Sequence, residues 1–264
     1  MHEMRTDIAS TTVSDILIRG RNLVDLMGRL SYTDMLVLTA LGRVPSPVER
    51  TIIDAIAVSV MDHGLTPSSL AARLTLLGAP ESFQAAVAAG LAGAGSTYLG
   101  GMTEVTEMLR ASADGLDEEA SDHDVQSAAE QLVEKQLSAG RKLPGVGHNI
   151  HSDGDPRVAR LRTLVSDAGL YDVHWRILDA IPEALAAVKG RSLPLNNVGA
   201  IGASVAALGL PAEMGRGIAL AARAGGLIAH LLEEKERPLA KQAWEYILAA
   251  AEAAPHETEG AGHG

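Results

Sequence analysis

Helix starts marked by a cap and a proline recur along this chain, and they leave little room for a sheet protein. Ser46-Pro47-Val48-Glu49 reads as a capping box with proline at the first helical position. The serine oxygen answers an orphan N–H and the glutamate reaches back to the cap. The segment it opens ends at Gly64, and Ile52, Ile53, Ile56, Val58 and Met61 share one face at helical spacing. Thr66-Pro67 repeats the device, with Gly78 closing that helix, and Asp155-Pro156 starts another that stops near Gly169. Further helices are expected over 81–93, 102–114, 117–139 (ended by Gly140), 171–188, 196–208, 212–234 and 238–252. Aromatic residues are only 3% of the chain, which suits close-packed helices better than sheets. Alternating β patterns of useful length are missing, so the expectation is an all-α protein of roughly ten helices. Residues 1–10 carry little periodicity, and 254–264 is expected to be a disordered tail.

Charge and composition exclude several classes. A formal net charge of -11 over 264 residues opposes phosphate-backbone binding, so no nucleic-acid partner is expected. The absence of cysteine removes disulfides, thiol nucleophiles and Cys-ligated zinc. Met1 to Ser10 has no apolar signal core, and no uninterrupted apolar run of about 18 residues occurs, so a cytoplasmic protein without a membrane partner is expected. His148 and His151 lie three apart without a surrounding carboxylate pattern, so no metal site is expected.

Four segments resist a purely structural reading. Leu143-Pro144-Gly145-Val146-Gly147-His148 is a loop whose glycines allow close backbone approach, and it presents His148. Nine residues on, Arg157 sits in the first turn of the helix capped by Asp155. A histidine and an arginine on one cavity suit a carboxylate-bearing ligand, the arginine by a two-pronged pair and the histidine by a switchable hydrogen bond. A tight loop with a surface arginine is the bland alternative. Asp62-His63-Gly64 is a polar turn in which His63 either caps a helix C-terminus or serves a site. Gly95 to Gly101 precedes a helix N-terminus, a candidate anion seat or a packing loop. Asn196-Asn197 precedes a helix of small residues, where capping competes with a functional role.

Taken in order, these segments resemble the citrate synthase superfamily from about Arg19 to about Pro238. Gly147-His148 followed by Asp155-Pro156-Arg157 matches the family's histidine loop and its Asp-Pro-Arg turn. Asp62-His63-Gly64 with Ala71-Ala72-Arg73 matches the earlier histidine turn, and Arg19-Gly20-Arg21 the N-terminal Arg-Gly segment. Ala222-Arg223-Ala224-Gly225-Gly226 to His230, then Glu236-Arg237-Pro238, match the closing helix and final arginine. In length the chain is similar to stand-alone citryl-CoA lyases, which resemble the C-terminal module of ATP-citrate lyase. The resemblance implies an all-α homodimer, with a large helical domain (1–100 and 205–264) and a smaller one (101–204) that closes over a cleft. It also implies that His63, His148, Arg157 and Arg223, with Asn196 nearby, hold the carboxylates and the hydroxyl or carbonyl of citrate or oxaloacetate. Arg237 would reach the neighbouring subunit's site. Leu143, Pro144, Gly145, Val146 and Gly147 would meet coenzyme A, a substrate in thioester form rather than a tightly bound cofactor.

Two departures bear on the chemistry. Leu99 stands where synthases carry the histidine that hydrogen-bonds the thioester oxygen, which favours a lyase. The family's Asn-Val-Asp run is matched by Asn196, Asn197 and Val198, so the catalytic aspartate is missing. His148 would then take the hydroxyl proton of citryl-CoA, with His63 and Asn197 as the remaining catalytic groups and Asn197 donating a hydrogen bond to the enolate. The expected activity is cleavage of citryl-CoA, or a related 3-hydroxy-3-carboxyacyl-CoA, to acetyl-CoA and oxaloacetate. The alternatives are condensation by a citrate or 2-methylcitrate synthase, and a non-catalytic protein that binds citrate or a CoA ester.

Overall fold

The computed structural model describes residues 6–97, 99–147 and 154–253. His148, His151 and the 254–264 tail therefore lie outside the described residues.

The chain begins with three short antiparallel strands, β1 (Ala9–Thr11), β2 (Ile16–Ile18) and β3 (Arg21–Asn22). Arg19 and Gly20 make the turn between β2 and β3 with φ of 48° and 75°, the doubly left-handed geometry that suits a two-residue hairpin. Helices follow in the order α1 (Leu23–Leu26), α2 (Tyr32–Leu41), α3 (Pro47–Met61), α4 (Pro67–Gly78), α5 (Phe83–Ala92) and α6 (Met102–Ser112). Then come α7 (Asp122–Ser138), α8 (Pro156–Asp167), α9 (Val173–Lys189), α10 (Asn197–Ala207), α11 (Glu213–Glu236) and α12 (Ala240–Ala253). The all-α expectation holds; the small sheet and helices α1 and α2 are additions to it. Three strands of two or three residues are too short to write a readable alternation. The helix expected over 117–139 starts later, at the capping box of Ser121 with Asp124.

The predicted starts are made as the sequence implies. Glu49 donates its N–H to Ser46 Oγ at 3.1 Å and its carboxylate accepts the Ser46 N–H at 2.7 Å. Thr66 exchanges the same pair of bonds with Ser69, with Pro67 just inside. Among the described residues no helix is long and apolar enough to cross a membrane.

The fold groups into two compact units. One comprises Met1–Ser59 and Gly101–Ala219, the other Val60–Gly100 and Leu220–Gly264. In the first, α10 is buried from Gly199 to Ala206 and packs against α6, α8 and α9. Its small residues permit this: a Cβ on Gly202 would stand 2.4 Å from Val105 Cγ1. Burial of an element this densely contacted makes its residues sensitive to a single added methyl. In the second unit α4 packs on α5, and Ala72, Leu76, Ala86, Leu227 and Leu231 form a core. Gly90 brings α5 against Leu227, whose Cδ atoms lie 2.7 Å from where a Cβ would be.

Candidate functional site

The loop 143–147 is fastened to the N-terminus of α10 by Asn196. Its side-chain oxygen caps the helix, accepting the Val198 and Gly199 N–H groups at 3.0 and 3.2 Å. Its side-chain nitrogen donates to the Gly147 carbonyl at 2.8 Å, and its backbone N–H donates to the Gly145 carbonyl at 2.9 Å. The Gly147 N–H completes the fastening on the Pro194 carbonyl at 2.7 Å. Gly145 has a φ of +89°, and a Cβ on Gly199 would come within 2.7 Å of the Gly145 carbonyl oxygen. Both glycines are needed, one for the turn and one for the approach. Capping therefore accounts for Asn196, and the same side chain also sets the loop.

Behind that helix start lies a two-pronged ion pair. Asp155 caps α8, and its carboxylate accepts Arg157 Nε at 2.9 Å and a terminal Arg157 nitrogen at 2.7 Å. It also accepts the backbone N–H of Asn197 at 3.0 Å. Burial works to raise the Asp155 pKa, but the Arg157 hydrogen bonds and charge and the Asn197 N–H outweigh it and hold the carboxyl below its usual range. Asp155 is thus an ionised orienting group and no proton donor. The other terminal nitrogen of Arg157 donates to the Ser59 carbonyl at 3.2 Å. Among the described residues these bonds leave one N–H on each terminal nitrogen for a ligand, on a side chain that is 25% exposed.

Asn197 is buried, and its amide nitrogen donates to Ser59 Oγ at 3.0 Å. Ser59 gives its own proton to the Ile56 carbonyl at 2.8 Å, so it accepts from Asn197. One of the two N–H groups of the Asn197 amide is spent on Ser59, and its buried side-chain oxygen has no partner among the described residues. Asn197 thus keeps a second amide N–H as well as an open acceptor oxygen. Val198 is half-buried in the first turn of α10.

Beside the fastened loop the first unit holds a cleft of about 450 Å³. Leu143, Val146, Leu185 and Leu193 form its apolar wall, while Arg141, Lys142, Lys189 and Arg191 supply four cations. Sequence reading found the loop but not these cations, although Lys189 and Arg191 flank the Gly190 that ends α9.

The remaining candidates belong to the second unit. His63 is exposed in the turn after α3, where the Gly64 N–H donates to Asp62 Oδ1 at 2.7 Å. Arg223 lies in α11 with its side chain buried, and Arg237 is exposed just past the end of that helix. Leu99 is buried and apolar. His148 lies outside the described residues, as noted, so its loop is seen only up to Gly147.

This arrangement has relatives. A model of the citrate synthase C-terminal domain matches residues 17–242. Citrate synthase from Haloferax volcanii is 29% identical over 87% of this chain and 60% of its own length. Citrate synthase 2 from Bacillus subtilis is 27% identical over 73% of the chain and 49% of its own. The chain therefore spans about half to three-fifths of the curated relatives it matches. Among solved structures, citryl-CoA lyase from Hydrogenobacter thermophilus superposes with a TM-score of 0.77 at 31% identity, covering 88% of this chain and 86% of that one. ATP citrate lyase from Methanothrix soehngenii, in complex with citrate and coenzyme A, has a TM-score of 0.71 at 21% identity over 88% of this chain and 39% of that one, and so shares the fold. With the family model covering the glycine-fastened loop, the Asp-Pro-Arg fork and the arginine helix alike, the chain belongs to the citrate synthase family.

Proposed function

We propose that the protein is a citryl-CoA lyase-like enzyme that cleaves citryl-CoA, or a related 3-hydroxy-3-carboxyacyl-CoA, to acetyl-CoA and oxaloacetate. The observation that carries this reading is Leu99, a buried apolar side chain where the resemblance gives synthases a histidine for the thioester oxygen. By the same resemblance ATP-citrate lyase-like members carry an apolar residue at that position, and because cleavage also passes through the acetyl-CoA enolate, the enolate oxygen takes its hydrogen bond from another group. The likeness to citryl-CoA lyase from Hydrogenobacter thermophilus supports the same choice.

In this reading Arg157 and Arg223, with His63, orient the carboxylates by charge-assisted bonds. His148 takes the proton of the 3-hydroxyl, the carbon–carbon bond breaks, and oxaloacetate forms as the electron pair passes to the acetyl-CoA enolate. Asp155 keeps Arg157 in place and stays ionised. With valine at 198 no carboxylic acid from α10 protonates the enolate, so water does, and turnover is slow relative to a site that has an acid.

The cleft beside loop 143–147 suits the nucleotide end of coenzyme A, with adenine against Leu143 and Val146 and the phosphates on the four cations. Homodimerisation fits the second unit, where Trp244, Tyr246, Ile247 and Leu248 of α12 and Leu232 of α11 are exposed. A partner covering that face would place Arg237 near the neighbouring site. The segment 101–204 would be the smaller domain.

Val198 favours one second reading, a non-catalytic protein that binds citrate or a CoA ester. A synthase reading draws on the names of the curated relatives. The deciding experiment supplies citryl-CoA and reports oxaloacetate through malate dehydrogenase and NADH. Turnover that Arg157→Ala abolishes establishes the lyase. Saturable binding of CoA esters without turnover overturns it in favour of the binding protein.

A further inference from the structure

The second unit contains a relay, buried at Arg73 and Glu234 and exposed at Asp62, that the proposed reaction does not use. Arg73 of α4 is 1% exposed and carries an ion pair with Glu234 at 2.7 Å and another with Glu233, both on α11. Its guanidinium also faces His230 of α11, with Nε at 3.2 Å and a terminal nitrogen at 2.8 Å from His230 Nδ1. An arginine has only donors, so Nδ1 must be the bare, accepting nitrogen. The ring proton therefore sits on Nε2, which lies 2.8 Å from Asp62 Oδ2 and donates to it. The other oxygen of Asp62 accepts the Gly64 N–H at 2.7 Å, closing a turn around His63. Gly64 has a φ of +72°, so the turn is one a substituted residue would resist.

Packing fixes the two ends of the relay. A Cβ on Gly226 of α11 would stand 2.0 Å from the Met61 carbonyl oxygen and 3.3 Å from the Asp62 carboxylate, so α11 lies directly against the last residue of α3. At the far end Glu234 is buried and also accepts the Ala240 N–H at 2.8 Å, which ties the carboxylate to the start of α12. Every atom from Glu234 to Gly64 thus has its role set by its neighbour.

We infer that Arg73, His230 and Asp62 are positioning residues for His63: Arg73 selects the His230 tautomer, His230 orients Asp62, and Asp62 folds the turn that presents His63. The inference rests on the reading of His63 as a substrate-binding side chain. It assigns a function to three residues that touch no substrate, and it explains why a fully buried arginine is matched to a histidine as well as to two glutamates. A group held by a chain of oriented hydrogen bonds loses less order when substrate docks.

Asp62→Asn tests it. Asparagine keeps the shape and leaves one oxygen to serve both the Gly64 and His230 donors, at an exposed position where folding is not at stake. In full-length protein labelled with ¹⁵N-histidine, the wild type should show His230 protonated on Nε2 and bare on Nδ1. The variant should shift the ring signals of both His230 and His63. KM for citryl-CoA should rise roughly 10-fold, because a displaced His63 holds the citryl carboxylates less well, whereas a reduced folded fraction would lower apparent kcat and leave KM alone. Arg73→Lys, which retains the charge beside the glutamates but loses the two-pronged contact, should move the His230 signals in the same direction. A proton on His230 Nδ1, or His63 signals and KM unchanged in Asp62→Asn, would overturn the relay. If the wild type turns over no citryl-CoA, the lyase reading fails and the His63 spectra alone decide the relay.

Discussion

Asp155 and Asn197 meet at the starts of two helices: one carboxylate caps α8, grips Arg157 and accepts the first backbone N–H of α10 at 3.0 Å. Replacing it by asparagine keeps the cap but removes the charge that Arg157 and the Asn197 N–H answer. Hydrogen bonds to a charged group are worth about 1.5–3 kcal/mol each net, and Arg157 retains some solvent, so Asp155→Asn should cost about 2 kcal/mol in urea unfolding. It should also lower citryl-CoA turnover, because Arg157 loses its orientation.

The same carboxyl gives the acid limb of stability a sign. Its folded pKa is held below the usual value, chiefly by Arg157 against the opposing effect of burial. Such a group contributes fully above its unfolded pKa of about 3.9, and the contribution is lost as pH falls through the lower folded value. Asp34 follows the same rule: burial pushes its pKa up, but Ser31 and Arg50 prevail and lower it. The urea midpoint should therefore drop below about pH 4, and the drop should be shallower in Asp155→Asn. An equally steep acid limb in the variant would remove Asp155 from the account.

Two glycines make a paired test of packing. A Cβ on Gly199 meets the Gly145 backbone at 2.7 Å, so Gly199→Ala must push the loop off α10. A destabilisation of about 1–3 kcal/mol is expected, with a raised KM for the CoA ester. Gly217 lies exposed inside α11 with nothing within 4 Å of its would-be Cβ. Gly217→Ala should stabilise by about 0.5–1 kcal/mol and leave kinetics alone. Thermal unfolding of the two variants side by side reads both signs.

How much of this was legible follows from the range of each interaction. The starts at Ser46, Thr66 and Asp155 were readable because a cap and its N–H partners lie within three residues. The box of Ser31 with Asp34 carries the same signal for α2, in its less familiar aspartate form. Arg157 was readable as a site residue, but its contact with Ser59, 98 residues away, was not. The relay through Arg73, 157 residues from His230, leaves no trace in local spacing. The four cations of the cleft come from two segments joined only by the fold, so no sequence window holds them together.

Those cations carry a prediction of their own. Lys189 and Arg191 are exposed at the end of α9, and their charge should act on phosphate groups rather than on the reacting carbons. The double change Lys189→Glu and Arg191→Glu should raise KM for citryl-CoA about tenfold with kcat unchanged, and the difference should shrink as salt screens the cleft. Removing the ribose phosphate from the substrate should erase part of the effect. A kcat loss at constant KM would place the nucleotide elsewhere.

Val198 offers the sharpest chemical test. It occupies the first turn of α10, where a carboxylate is favoured by the helix dipole and by nearby N–H groups, so Val198→Asp should fold. A positioned general acid is worth about 10²–10⁴ in rate, and restoring one should raise citryl-CoA cleavage within that range. Val198→Asn supplies similar bulk and hydrogen bonding but no transferable proton, and it should leave turnover near the wild-type level. Because the helix N-terminus favours the ionised form, the gain in the aspartate variant should be greatest at acid pH and fall away as pH rises and the acid ionises, which separates proton donation from a change in binding. Equal rates in both variants would mean that the enolate takes its proton from water whatever stands at 198, and that the site is built around another step.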